Sequence, residues 1–436
     1  MEEYYSQLTG AALRVKSTAT MGKGLFAERD FDAEEVILIE EPLFAAQHSH
    51  NKNDAVVCGF CFRYVGSIQL QIQRKLEAPE TQSCCYHEEE DEEEDHHRHG
   101  VSSEEALALL KGDGFSLPHG DKFLLPEVVK CSGGCSEIYC SKSCAQRAWH
   151  DHHSLLCDGV SQHRDELVLF KEFADETNDI FHLASKVAFA CFFVLRLCFT
   201  FSVQLIAKVM LRTKKLSESS GVTDRNALLE AWKPFAMGEK RLWWEAVALP
   251  DDVDPLEEAS FRSQIKELAE ASLSQLKAAL GEPEFAPLFS LEIYGSIIGM
   301  FELNNLDVVV ASPVENYFLY IQDLEPALKE QTEQITRPLF EALGEKYASF
   351  CQGSGFFALH SCINHSCEPN AKAFKRDEDI NGNAVIIATR KIMKGEQIFT
   401  SYIEEEDLSY TERQAMLSDY GFACECTKCF REKNQS

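Results

Sequence analysis

At 436 residues and 45 % apolar, the chain has the length of about two or three domains and enough apolar surface for substantial cores. A formal net charge of −29, from 71 acidic against 42 basic residues, argues against a direct grip on duplex nucleic acid, which needs Lys and Arg over phosphates, and suits basic partners instead. The 17 cysteines, an odd number with no secretory leader over Met1 to Gly10, argue for a reducing compartment, where thiols serve metals or cores and not disulfides.

From Leu13 to Ala46, short apolar runs broken by glycine and proline read as β-strands joined by turns, with Val36 to Ile39 running into Pro42. Gly22-Lys-Gly24-Leu-Phe-Ala27 has the spacing of a dinucleotide fingerprint. Only eight residues separate Ala27 from Val36, too few for the crossover helix that such a site needs. The glycines are better read as letting backbone approach a ligand.

Cysteine-rich chain follows, with four ligand pairs: Cys58-x2-Cys61, Cys131-x3-Cys135, Cys140-x3-Cys144 and His153-x3-Cys157. Eight N and S donors in short pairs make two tetrahedral zinc sites with no open catalytic position, so they are structural. His150 and His152 compete for the last imidazole, and the spacing to Cys157 favours His153. A long insertion between Cys61 and Cys131 carries Cys84, Cys85, His87, the acidic run Glu88 to Asp95, and His96, His97 and His99. Such a like-charge block repels itself and reads as a loop.

Between Leu167 and Leu280 the periodicity becomes helical, with Phe261, Ile265, Leu268, Leu276 and Leu280 on one face and a stop at Gly281-Glu-Pro283. Val187 to Met210 is apolar apart from Arg196 and Lys208. Hydropathy alone permits a membrane span there, but a span would part chain segments that must pack together, so a buried helix is expected. Trp232, Trp243 and Trp244 read as core aromatics.

Strand-like runs return at Ala384 to Ala388 and Gln397 to Tyr402. Cys424-x-Cys426-x2-Cys429 offers three thiolates and needs a fourth ligand from elsewhere. Asn364-His365-Ser366-Cys367 reads locally as a turn. A Cys367–His365 hydrolase dyad is one reading of it, yet a cysteine with three thiolate partners is better spent on zinc. Cys191, Cys198, Cys351 and Cys362 lie in apolar surroundings and read as ordinary buried thiols.

In this order, Gly-Lys-Gly-Leu-Phe, the cysteine pairs, the helical stretch, Asn-His-Ser-Cys, Gly395-Glu-x4-Ser401-Tyr402 and Cys-x-Cys-x2-Cys resemble a SET-domain lysine methyltransferase of the SMYD-like class with a MYND-type zinc finger. Within it the chain is similar to the plant trithorax-related (ATXR) SET group with a MYND insertion, through Cys58 to Arg63, Leu249 to Pro255 and Gly299 to Asn305. The resemblance implies an α+β chain built on a split SET β-fold. Its parts would be a SET N-terminal part (13–57), a MYND-type finger with the acidic and His-rich insertion (58–157), a helical SET insertion (158–345), the SET catalytic core (346–403) and a post-SET zinc segment (404–436). The helical-repeat lobe usual at the end of this class has no counterpart before Ser436, which implies a more open substrate channel.

The resemblance also implies S-adenosylmethionine as cofactor and three structural zinc ions. One ion would take Cys58, Cys61, Cys140 and Cys144, another Cys131, Cys135, His153 and Cys157, and the third Cys367, Cys424, Cys426 and Cys429. Lys23, Gly24 and Leu25 would touch the cofactor, with Asn304 at its methionine end and Asn364 and His365 at its amino-acid and adenine portions. Tyr420 and Phe422 would flank the adenine and the lysine channel. Tyr402 would be the catalytic tyrosine and a cofactor contact. The implied substrate is a histone H3 tail or another basic protein, in the nucleus and also the cytoplasm. Partner proteins such as transcription factors would bind the finger, with no nucleic acid or membrane contact. The alternative is a catalytically weak MYND/SET adaptor.

The residue types suit the chemistry. Methyl transfer needs a neutral amine in line with a sulfonium methyl, and deprotonating lysine at pH 7 costs about 4.6 kcal/mol. Desolvation in an apolar channel and a neighbouring sulfonium both favour the neutral form. Tyr402, following Ile398-Phe399, would present its hydroxyl at the channel's inner mouth to orient the amine or methyl group.

Overall fold

The computed structural model describes residues 5, 8–78, 101–112, 114–184, 189–220, 224–236, 238, 240–250, 253–376, 378–404 and 408–433, without side chains over 175–198, 220 and 224. The acidic run falls outside the described residues. Strands β1 (Leu13–Ser17) and β2 (Lys23–Ala27) form an antiparallel hairpin with Leu13 opposite Ala27 and Val15 opposite Leu25. Leu13, Leu25 and Ala27 are buried, while Arg14 stays exposed. Strands β3 (Val36–Glu40) and β4 (Phe44–Gln47) follow, and β5 (Val129–Lys130) pairs with β6 (Ile138–Tyr139) in the cysteine-rich region.

The later strands are β7 (Asn305–Val310), β8 (Cys351–Phe356), β9 (Asn364–His365), β10 (Ala371–Ala373), β11 (Ala384–Ala388) and β12 (Phe399–Thr400). They complete sheets begun far earlier in the chain, in the orders β10-β11-β3 and β4-β8-β7. All five residues of β11 are buried, so Ala-Val-Ile-Ile-Ala is a central strand whose two faces are both covered. The split β-fold is therefore closed by long-range ladders across the cysteine-rich and helical regions.

Helices Arg164–Ala184, Phe189–Ser220, Glu258–Leu280 and Leu291–Asn304 supply most of the largest core. Ile265, Leu276 and Leu280 are buried on one face of Glu258–Leu280, and Trp243 is fully buried with Trp232 and Trp244 packed against the same core. Phe44 and Phe356 stack at 5.3 Å, with Phe301 edge-on to Phe44 at 4.7 Å, which joins the β4-β8-β7 sheet to the helices. Apolar Phe199, Phe201, Leu205, Ile206, Val209 and Met210 are buried, and Lys208 pairs with Asp151 at 2.8 Å. Among the described residues, no single helix is long and apolar enough to cross a membrane.

Two local expectations change. The run Gln397 to Tyr402 is a strand only over Phe399–Thr400, and Asn364-His365 is not a turn but its parallel partner. The cause is Asn370, whose side-chain amide donates to the Gln397 carbonyl at 2.8 Å and accepts the Phe399 N–H at 2.8 Å. One side chain thus takes backbone groups that a ladder would otherwise use.

Candidate active site and zinc clusters

Among the described residues, three groups of four ligands come together, each with its donor atoms within 4.8 Å of one another: Cys58, Cys61, Cys140 and Cys144; Cys131, Cys135, His153 and Cys157; and Cys367, Cys424, Cys426 and Cys429. Zinc held at about 2.3 Å by tetrahedral thiolates requires sulfur atoms about 3.8 Å apart. The first group shows 3.5, 3.6 and 3.9 Å, the second 3.8 Å between Cys131 and Cys157, and the third 3.6 and 3.9 Å from Cys367 to Cys429 and Cys424. The three clusters fit three structural zinc ions.

Local structure aims these ligands. Ser141 caps helix Lys142–Ala148 by accepting the Cys144 N–H at 3.1 Å, which fixes Cys140 and Cys144 on either side of the helix start. A single π-turn over Trp149–His153 leads into the second group. There His153 Nε2 lies 3.3 Å from both Cys131 and Cys135 sulfurs, whereas His152 pairs with Asp151 at 3.1 Å. Burial pushes the Cys135 and Cys367 thiols upward, so a cation is needed to hold them as thiolates.

Two residues around the third group carry no sequence signal. Arg413, 1 % exposed, donates to the Leu408 carbonyl at 2.6 Å and to Cys429 sulfur at 3.9 Å, and it pairs with Glu432. Gln414 donates to the same sulfur at 3.3 Å and accepts the Cys424 N–H at 3.0 Å. Both lie on helix Tyr410–Asp419, where Arg-Gln reads as ordinary surface. Elemental analysis is expected to give three zinc ions per chain, and a strong chelator should lower the melting temperature along with activity; one ion per chain would refute the assignment.

Cys367 places the third cluster against the Asn364-His365 strand. Here Tyr402 is anchored at both ends: its hydroxyl donates to the Ile363 carbonyl at 2.6 Å, and its N–H donates to His365 Nδ1 at 3.0 Å. Its ring centre lies 5.5 Å from that of His365, 5.2 Å from Tyr420 and 6.3 Å from Phe422. Tyr420 donates to the Tyr402 carbonyl at 3.3 Å, and Phe422 remains 37 % exposed. Burial holds the Tyr402 phenol well above the ordinary tyrosine range, so at neutral pH it is a hydrogen-bond donor and not a base.

The expected cofactor residues fall into two groups. Asn364 donates to the Lys23 carbonyl at 2.7 Å, tying β9 to β2 beside Gly24 and the buried Leu25. A Cβ at Gly24 would come 2.5 Å from the Gln397 amide, so a side chain there would displace the end of Gln397. His365 is 5 % exposed, and burial followed by the Arg413 charge lowers its pKa to about 4, so it is neutral. The side chains of Asn364 and His365 therefore face inward, toward protein partners. Asn304 sits at the end of helix Leu291–Asn304, where its amide donates back to the Met300 carbonyl at 2.7 Å. The half-open ring cluster of Tyr402, Tyr420 and Phe422, joined through His365 and Asn364 to the strand that carries Gly24, fits a cofactor with a planar base.

Comparison with known proteins agrees with this geometry. The chain is 50 % identical to histone-lysine N-methyltransferase ATXR2 of Arabidopsis thaliana, over 100 % of this chain and 94 % of that protein. It is 25 % identical to the protein-lysine N-trimethyltransferase SMYD5 of Mus musculus, over 99 % of this chain and 91 % of the relative. A shorter match, 38 % identical over 18 % of this chain and 15 % of the relative, is to the histone-lysine N-methyltransferase ASHR1 of Arabidopsis thaliana. The SET domain family model matches residues 22–403, from the glycine turn ahead of β2 to the residue after Tyr402, and with that span the chain belongs to the SET domain family.

Proposed function

We propose that this protein is an S-adenosylmethionine-dependent protein-lysine N-methyltransferase that acts on a lysine of the histone H3 tail in the nucleus. The observation that carries the reading is the doubly anchored Tyr402, walled by Tyr420 and Phe422 and joined through β9 to the Gly24 strand. When bound, the cofactor supplies an electrophilic methyl group on a sulfonium. The chain supplies alignment: Tyr402 and Tyr420 shape an apolar throat that disfavours a charged ammonium, and the Tyr402 hydroxyl offers a fixed dipole at its inner end. Calorimetry with S-adenosylhomocysteine and mass spectrometry of an H3 peptide array test it. Failure to bind that ligand would favour an adaptor role.

Charge at the mouth supports a basic substrate. The Tyr420 phenol is pushed up by burial and then by the carboxylates of Asp419, Glu302 and Asp307, which places all three within electrostatic range of the ring cluster. Asp307 is solvent-exposed on β7, opposite Ser354 of β8. Asp307→Asn is expected to raise the peptide KM about threefold at low salt with kcat nearly unchanged, and the effect should shrink at high ionic strength. An unchanged KM in peptide titrations at both salt concentrations would remove Asp307 from substrate recognition.

A second kind of contact would fall to the finger, where a partner protein such as a transcription factor would bind; Tyr139, Gln146 and Trp149 line a shallow cavity there beside Cys131 and His153.

A further inference from the structure

We propose that His365 is a positioning residue whose imidazole is a strut between the third thiolate cluster and the backbone of Tyr402. The proposal rests on Tyr402 being the tyrosine of methyl transfer.

The argument starts from a ladder that stops short. β9 and β12 pair for two residues, the second being His365 opposite Thr400, and the next link is the Ser366 N–H donating to the Thr400 carbonyl at 3.0 Å. The Tyr402 N–H lies beyond this ladder. It donates instead to His365 Nδ1 at 3.0 Å. A ring nitrogen that accepts from a backbone N–H carries no proton, so the single N–H of the neutral ring sits on Nε2. Nε2 is 3.3 Å from Cys367 sulfur. Geometry thus assigns the tautomer, and both ring nitrogens are spent on protein partners.

This arrangement has a mechanical consequence. A buried planar ring pinned at both nitrogens cannot swing about its bond to the chain. Tyr402 is then held by one short segment at two points, its N–H by His365 and its hydroxyl by the Ile363 carbonyl two residues earlier. Displacement of Cys367 is transmitted to the Tyr402 main chain, and sub-ångström errors there are costly to an in-line transfer. The N–H donated to a thiolate is charge-assisted, which also strengthens the cluster's hold on its metal.

The test uses the zinc-loaded full chain with S-adenosylhomocysteine as binding probe. His365→Ala is expected to lower kcat by about 10- to 100-fold while the S-adenosylhomocysteine Kd and the peptide KM stay within about threefold. Zinc loss to a chromogenic chelator should become about tenfold faster. His365→Asn places an acceptor where Nδ1 was, and should restore most of the kcat but not the zinc retention. His365→Gln places a donor where Nε2 was, and should show the reverse split, which also serves if the alanine variant does not fold. Wild-type kcat in His365→Ala, a fall in kcat matched by an equal fall in S-adenosylhomocysteine affinity, or identical behaviour of the Asn and Gln variants would each overturn the strut. A wild-type protein that transfers no methyl group would sink the functional reading alone, because the zinc-loss rates still decide whether His365 supports the cluster.

Discussion

Tyr402→Phe is expected to lower kcat by about 10²- to 10³-fold while leaving S-adenosylhomocysteine affinity within about threefold. The substitution removes one oxygen and keeps the ring, so the packing against His365, Tyr420 and Phe422 survives. What disappears is the donor fixed on the Ile363 carbonyl. A positioned dipole acts only if its direction is set before reaction, and the 2.6 Å hydrogen bond sets it. Leaving the Ile363 carbonyl without its partner costs about 1–3 kcal/mol of stability, visible as a lower melting temperature with a cooperative transition intact. Mass-spectrometric turnover and calorimetry on the same preparation decide the matter. Full turnover in the phenylalanine variant would remove the hydroxyl from the chemistry.

Cys367→Ser should abolish most activity with Tyr402 untouched, through loss of one zinc ion of three. A serine hydroxyl does not ionise to replace a thiolate, so the third cluster drops to three donors. Tyr420 and Phe422 directly precede Cys424, so the cluster that joins Cys424, Cys426 and Cys429 to Cys367 helps hold their segment at the site. A fall in kcat of about 10²-fold is expected, together with faster proteolysis after residue 402. Cys58→Ser is the informative contrast, since it also costs one ion but in a cluster set in the cysteine-rich region. Its kcat per folded molecule should fall much less than that of Cys367→Ser. Equal falls in both variants would mean that zinc acts only on global stability.

Ligand identity was the most legible part of this chain. Soft donors at two- or three-residue gaps have few other uses in a reducing compartment, and His153 could be chosen over its neighbours from spacing alone. The remote ligand Cys367 followed from family resemblance, because three local thiolates leave a vacancy without saying who fills it. Side-chain direction was not legible. His365 carries the same letter whether its ring faces a cofactor or a cysteine, and only the early end of the β9–β12 ladder shows which. The length of that ladder was hidden for a related reason: Asn370, 27 residues before Gln397 and 29 before Phe399, takes over their backbone hydrogen bonds. Arg413 and Asp307 look like surface charge in sequence. One is buried against a thiolate, and the other lies near enough to Tyr420 to help push its phenol upward.

The 57-residue step from Cys367 to Cys424 also sets a clock. During synthesis, at about 5–20 residues per second, the eight donors ending at Cys157 emerge long before the chain reaches Cys429. The first two clusters can take up metal while the helical region is still being made. Tyr402 then leaves the ribosome into an unfinished pocket, and the last cluster closes it. On that order, the first two clusters would be loaded before the third is complete. In a metal-poor cell, chains folded around two ions would accumulate with the third cluster open.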